Sequence, residues 1–332
     1  MSDRLETLGT DGRARPQQRQ KLSERLRVVL NTVHVEADGL TAAVGTHEVA
    51  ASSPQALTAH LATALYRIIH VGRPERGPEG ASTSLDRDLE MHLKEAVPHR
   101  YTTHDVPVLS TTAGGPIVEL SGVHVRLAPH RLVRTDDDAQ RAHVRISATR
   151  PMLSPGFFLV DGSLPLPVTS QVLRVYLHIE TPHAAVEAWR RTLEFLEGRA
   201  VAYRAKAASS SAALPRRDGM VVYLNGLDQD VLDSLANAVE GIAGLGTGGS
   251  PFTEQVAPGV AVAWEPDDAR PGMRNTSLGE HRSRALAAGL VGHATRPDGR
   301  PRTEWVRDAL IEGGIDPSAP YRNLSSPVSP WN

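Results

Sequence analysis

Apolar side chains along this chain change their spacing near Pro98, from a helical period to a strand-like alternation. Before it, Leu22, Leu26, Val29 and Val33 recur every three or four positions, as do Leu57, Leu61, Leu65 and Ile68. That spacing predicts one helix from about Lys21 and a second over Leu57–Ile69, with Pro54 placed where a proline costs a helix little. A third short helix is expected over Leu85–Ala96. Residues 1–20 are polar without apolar period and are expected to be disordered, and Gly72–Ser84 reads as an exposed glycine- and proline-rich loop.

After Pro98, Ile117–Arg126 and Ala142–Ala148 alternate as half-buried strands do. In Leu173–Ile179 the alternation is strict: Leu173, Val175, Leu177 and Ile179 face one way, and Arg174, Tyr176 and His178 the other. Pro182–Glu197 is amphipathic and predicts a helix closed by Gly198. Strands are expected at Val201–Lys206, Met220–Leu224 and Val260–Trp264, with helices over Val231–Leu245 and Leu278–Val291. This order predicts an α+β fold: an antiparallel-rich sheet with helices packed on one face, preceded by a helical N-terminal region. The expected organisation is a disordered 1–20, a helical region 21–98, an α+β domain 99–322 and a tail 323–332.

Composition narrows the chemistry. The 332 residues carry a formal net charge of −2, so anionic partners must be met by local patches, and a nucleic-acid partner is not expected. There is no cysteine, which excludes disulfides and thiolate metal sites and fits a cytoplasmic location. No apolar run approaches the ~20 residues needed to span a bilayer, and the first residues lack a signal-peptide core, so no membrane role is expected.

What remains is a set of basic and hydroxyl side chains in four segments. Strand alternation places Arg174 and Tyr176 on one polar face, and Arg204 and Lys206 on that of the next strand. Arg216, Arg217 and Asp218 follow a loop of small residues, and His281 and Arg282 lie in Ser277-Leu-Gly-Glu-His-Arg282. Any one of these alone reads as an ordinary surface charge. Together they are less ordinary, because like charges on one sheet face repel unless an anion is expected there. Gly244–Gly249 lacks the lysine and hydroxyl residue of a phosphate loop and reads as a connection.

Several segments occur in the order seen in the HopA-type effector family. They are Ser154–Gly162, Arg174-Val-Tyr176, Lys206, Arg216-Arg-Asp218 with Val221-Val-Tyr223, the stretch from Pro258, and Ser277–Arg282, with Leu65-Tyr66-Arg67 fitting as well. The resemblance spans roughly residues 55–322. The family is named for bacterial type III effectors and includes actinomycete proteins of class V lanthipeptide and thioamitide biosynthesis. More distantly, the strand-to-lysine portion is similar to phosphothreonine lyases of the OspF and SpvC type. Arg174 and Tyr176 stand at the lysine and histidine positions there, and Lys206 at the catalytic lysine. Leu278 departs from the family's phenylalanine.

The resemblance implies β-elimination of phosphate from phosphoserine or phosphothreonine in a precursor peptide, giving dehydroalanine or dehydrobutyrine. The residue types suit that reaction. A base must take the Cα proton, and a lysine can do so only as the neutral amine, a form that neighbouring cations and burial favour. Charge developing on the substrate carbonyl needs a fixed donor such as Tyr176. The leaving phosphate needs a cationic clamp, for which Arg174, Arg216, Arg217 and Arg282 are candidates, with Asp218 as an orienter and His281 as a candidate acid. No metal or organic cofactor is expected. The chain has no kinase nucleotide loop or catalytic loop, so a separate kinase-like partner is implied. The alternative from another class is a noncatalytic adaptor that binds the precursor or the kinase.

Overall fold

The computed structural model describes residues 21–73, 86–120, 122–136, 140–151, 153–167, 171–274, 276–296 and 298–327. The expected disordered segment 1–20 and most of the loop expected at 72–84 lie outside the described residues, as does the end of the tail.

The N-terminal part contains helix α1 (Glu24–Asn31), strands β1 (Val33–Val35), β2 (Thr41–Val44) and β3 (His47–Ala50), and helix α2 (Pro54–Leu65). A π-helical turn, Tyr66–Val71, continues α2, and helix α3 (Arg87–Glu95) follows the segment outside the described residues. The helices begin close to the expected starts, α1 at Glu24 rather than Lys21, α2 at Pro54 rather than Leu57 and α3 at Arg87 rather than Leu85. Ser53 caps α2 by accepting from Ala56 N, with Pro54 at the first turn, and Asp86 caps α3. The three-stranded sheet β1-β2-β3 was not foreseen in a region read as helical.

Strands β4 (Tyr101–Thr112), β5 (Gly115–Leu120), β6 (Val123–Arg126), β7 (Leu132–Asp136) and β8 (Arg141–Ser147) form an antiparallel sheet in the order β6-β5-β4-β8-β7. It has a small core of its own around Val106, Val118, Ala142 and Val144. The stretch expected as one strand over Ile117–Arg126 is divided between two antiparallel strands, β5 and β6.

The central sheet has six antiparallel strands: β9 (Phe157–Asp161), β10 (Val172–Ile179), β11 (Tyr203–Ala208), β12 (Arg216–Asn225), β13 (Glu254–Ala257) and β14 (Val260–Trp264). Their order is β13-β14-β10-β12-β11-β9. Helices α4 (Pro182–Gly198) and α5 (Gln229–Val239) connect strands, and α6 (Leu278–Thr295) and α7 (Arg302–Glu312) follow the sheet. Fold class is as expected, α+β with antiparallel sheets. Leu173, Val175, Leu177 and Ile179 pack against Ala188, Trp189, Leu193 and Leu235 of α4 and α5 in one apolar cluster. Trp189 Nε1 donates to Leu93 O at 3.0 Å and ties α3 to this layer.

The expectation of helices on one face is corrected. Tyr176, Val221 and Ala263, from the opposite face, belong to a second apolar cluster with Leu61 and Leu65 of α2 and Leu278 and Leu286 of α6. That face is roofed over part of its area. α6 starts with the capping box that Ser-Leu-Gly-Glu encodes: Ser277 accepts from Glu280 N, and Glu280 accepts from Ser277 N. Among the described residues no helix is long and apolar enough to cross a membrane.

Candidate active site

Backbone pairing brings the predicted residues into rows on the roofed face. Tyr176 pairs with Val221, Val221 with Lys206, and Lys206 with Leu159, so Tyr176 and Lys206 share a face with β12 between them. In the neighbouring row Arg174 pairs with Tyr223, Tyr223 with Arg204, and Arg204 with Asp161. Directly opposed residues point to the same side of a sheet, so the alternation read from sequence leads to one surface.

The like charges on that surface are compensated by carboxylates, of which Glu265 and Asp161 are distant in sequence and Asp218 is local. Arg174 is 6% exposed and forks onto both carboxylate oxygens of Glu265, while its guanidinium lies over the Tyr223 ring at 5.1 Å. Arg204 Nε donates to Asp161 Oδ1 at 2.6 Å, and Arg150 Nε donates to Asp161 Oδ2 at 3.1 Å. Arg216 forks onto Asp218, with Nε to Oδ1 at 2.7 Å and Nη2 to Oδ2 at 2.9 Å. Burial would raise the Asp218 carboxyl, but the Arg216 guanidinium overrides it and holds the group well below the usual carboxylate range. Both Asp218 carboxylate oxygens are therefore engaged by Arg216.

Lys206 differs from these arginines. It is half-buried, and its Nζ lies 4.4 Å from the centroid of the Phe157 ring, over which the Arg216 guanidinium also sits at 4.9 Å. Among the described residues its ammonium makes no hydrogen bond or ion pair, although it stands close enough to Asp218 to act on that carboxylate. Nη1 of Arg216 is likewise unbonded among the described residues, because Nε and Nη2 carry its contacts.

Three predicted residues are not brought to this opening. Tyr176 is 3% exposed, perpendicular to the His70 ring (centroids 5.8 Å apart), and among the described residues its buried hydroxyl has no partner at hydrogen-bonding geometry. It cannot reach a substrate carbonyl from there. Arg282 is fully buried, donating from Nε to Pro320 O (3.0 Å), from Nη2 to Asn323 Oδ1 (2.8 Å) and from Nη1 to His281 Nδ1 (2.7 Å). Every side of its guanidinium is used, so it is no phosphate clamp. His281 accepts that bond on Nδ1, which puts its proton on Nε2, bonded to Asp268 Oδ2 at 2.9 Å. Burial, reinforced by Arg282, pulls its pKa down to about 4, so it is neutral with both nitrogens committed and is not an available acid. The common cause is the roof: alternation shows which face is polar, and only the packing of α6 shows that part of that face is interior.

Arg217 is half-buried, and its Nη1 donates to Ile69 O at 2.9 Å, fastening the end of the π-helical turn to β12. His178 bonds through Nδ1 to Gly248 O at 3.1 Å. A Cβ at Gly246 would lie 2.3 Å from its ring, so the glycine run allows a close backbone approach to His178.

Sequence reasoning missed the π-helical turn. Tyr66 is half-buried, and its hydroxyl accepts from Arg216 Nη2 at 3.5 Å. Its ring stacks on His70, whose other neighbours are Phe252, Tyr176 and the Asp218 carboxylate, 3.9 Å from Nε2. His70 Nδ1 is hydrogen-bonded to Ser250 Oγ at 2.9 Å. Burial pulls its pKa down to about 4, so the imidazole is neutral at physiological pH. The one available signal was that Tyr66 fell within the family pattern; a helical stripe does not show a change of helical period. A cleft of about 560 Å³ between α3 and α4 shares no residue with the Lys206 cluster.

The profile of the HopA1 effector protein family matches residues 148–322, which contain Lys206, Arg216, Asp218 and all six strands of the central sheet. The chain belongs to the HopA1 effector protein family. Two solved structures are similar to it. One, the effector protein from Pseudomonas syringae pv. tomato strain DC3000, has 14% identity and a TM-score of 0.46, over 80% of this chain and 95% of that one. The other, the effector protein from Pseudomonas syringae pv. syringae strain 61, has 13% identity and a TM-score of 0.45, over 81% of this chain and 92% of that one. No curated protein matches the chain. The HopA1 segment begins at Ala148, on the connection whose backbone joins β9 through Asp161 N to Ala148 O. Tyr66 and His70 come from outside it and complete the cluster from the other side.

Proposed function

We propose that this chain is a lyase that eliminates phosphate from phosphoserine or phosphothreonine of a precursor peptide during lanthipeptide or related peptide maturation, after a separate kinase has placed the phosphate. The observation that carries this reading is the Lys206 amine, which among the described residues makes no ion pair within salt-bridge distance, while Arg174, Arg204 and Arg216 on the same sheet each make one. An amine left free among ion-paired guanidiniums is a base facing an anion seat. Lys206, as the neutral amine, takes the Cα proton. The electron pair forms the Cα–Cβ double bond, and the Cβ–O bond to phosphate breaks. The Nη1 of Arg216, unbonded among the described residues, and the half-exposed guanidinium of Arg204 receive the phosphate; Arg216 was among the four arginines expected to do so, with Arg174, Arg217 and Arg282, and Arg204 was not.

The test is the intact mass of phosphothreonine and phosphoserine peptides before and after incubation, without nucleotide or metal. Loss of the whole phosphoric acid is expected, and Lys206→Ala should abolish it while circular dichroism stays that of the parent. Loss of the phosphoryl group alone, leaving the hydroxyl, would mean a phosphatase. No change, even with the cognate precursor and its kinase present, would leave the adaptor role.

A further inference from the structure

Elimination has a second requirement that Lys206 does not meet. When Cβ–O breaks, the phosphate leaves with an electron pair on the bridging oxygen, and expulsion of a trianion is difficult unless that oxygen receives a proton. The expected acid, His281, is inside the protein, and so are the hydroxyl and carboxyl groups of Tyr176 and Asp218. Tyr176 is covered, the Nε2 proton of His281 is held by Asp268, and Asp218 is an anion locked onto Arg216.

We infer that Tyr66 donates this proton. The inference rests on the lyase reading above, and four observations support it. Tyr66 touches the guanidinium proposed to hold the phosphate, accepting from Arg216 Nη2 at 3.5 Å. A hydroxyl that accepts from a guanidinium keeps its own proton unspent, and among the described residues that proton has no acceptor. The ring is held by a fixed neighbour. It stacks on buried His70 at 5.7 Å, and His70 is in turn fastened to Ser250 and stacked on Phe252. Finally, Tyr66 begins a π-helical turn, a local departure from α geometry that recurs at functional sites, here anchored to β12 by Arg217 through Ile69 O.

The step balances. Lys206 removes the Cα proton and becomes an ammonium; the former C–H electrons form the double bond; the Cβ–O pair stays on phosphate. The Tyr66 O–H proton passes to that oxygen, and phosphate departs as hydrogen phosphate. The phenolate left behind faces Arg216, which stabilises it, until the Lys206 ammonium returns a proton to it. The net result is that the proton lost from Cα leaves on phosphate, with no other reactant.

The test is Tyr66→Phe, which keeps the ring that stacks on His70 and removes only the hydroxyl. Two peptides are compared, one with phosphoserine and one with the sulfate ester of serine, whose leaving group is a weak base that needs no proton. With phosphoserine the variant should lose about 100-fold in kcat with little change in KM, a factor ordinary for a general acid. With the sulfate ester the loss should be less than about threefold relative to the parent enzyme. Undiminished kcat on phosphoserine, or equal losses on both esters, would overturn the assignment and leave Tyr66 as packing. If the parent enzyme eliminates phosphate but Tyr66→Phe is unaffected, only this inference falls. If the parent enzyme eliminates nothing from phosphoserine, the lyase reading falls and this one with it.

Discussion

Replacing Gly279 by alanine tests the packing that holds the roof of the candidate site. Gly279 stands in the first turn of α6 against the ring of His70. An added Cβ would lie 2.2 Å from His70 Cδ2, 2.7 Å from Cγ and 2.8 Å from Nε2. Those are more than half an ångström short of van der Waals contact, and His70 has little room to yield. Tyr66 and Phe252 stack on the ring at 5.7 and 6.1 Å, the Tyr176 edge meets it at 5.8 Å, and Ser250 bonds it at 2.9 Å. Overpacking of this kind costs about 1–3 kcal/mol. Forcing the ring off Ser250 adds about 1 kcal/mol for a lost buried hydrogen bond. Alanine's better helix propensity returns at most about 1 kcal/mol. A net loss of about 1–3 kcal/mol is expected in urea denaturation. A double-mutant cycle identifies the cause. With His70→Ala already present there is no ring to strike, so adding Gly279→Ala should cost nothing or stabilise slightly. Full stability of Gly279→Ala in the parent chain, or additive losses in the cycle, would refute the reasoning.

Acid should weaken the fold earlier than carboxylate titration alone would cause. His70 and His281 take up protons at about pH 4 in the native state, against about 6.5 for an ordinary histidine. Between those values the unfolded chain binds more protons than the native one, so stability falls as pH falls across that window, by up to about 3 kcal/mol for each histidine. Urea midpoints at pH 7 and pH 4.5 measure this, and a flat profile would sink it. Asp218, held down by Arg216, and Asp268, held down first by Arg270, add their losses only below the ordinary carboxylate range, as acid reaches their native-state pKa values. Arg282→Ala strips the donor from Pro320 O, Asn323 Oδ1 and His281 Nδ1, and should cost about 3 kcal/mol or more. It should change affinity equally for phosphorylated and unphosphorylated peptide, and a loss confined to the phosphorylated one would restore Arg282 as a phosphate ligand.

Much of the central unit was legible before the structure. Strict alternation over Leu173–Ile179 located β10, and the apolar stripe with Pro182 located α4. Helix α6 was expected over Leu278–Val291, and the structure shows its start fixed by Ser277 and Glu280, whose side chains act within one turn. Strands β1, β2 and β3 were missed because three or four residues are too few to establish a period, and β4 because its long exposed face obscures the alternation. In these cases the pairing partner makes the strand, and it lies elsewhere in the chain.

The candidate site divides along the same line. Alternation alone put Arg174, Tyr176, Arg204 and Lys206 on the polar side of their strands, because side-chain direction in a strand is a local property of the backbone. It could not show which of them is free. That depends on Glu265, Asp161 and the π-helical turn carrying Tyr66 and His70, which reach the cluster from remote parts of the chain. Burial and ion pairing are set by what packs on top, and no spacing in a single strand records that. So the sequence by itself determined the fold class and the composition of the polar face, while only the tertiary structure decided that Arg282 and His281 are interior, that Arg174 is paired, and that Lys206 shares the Phe157 ring with Arg216.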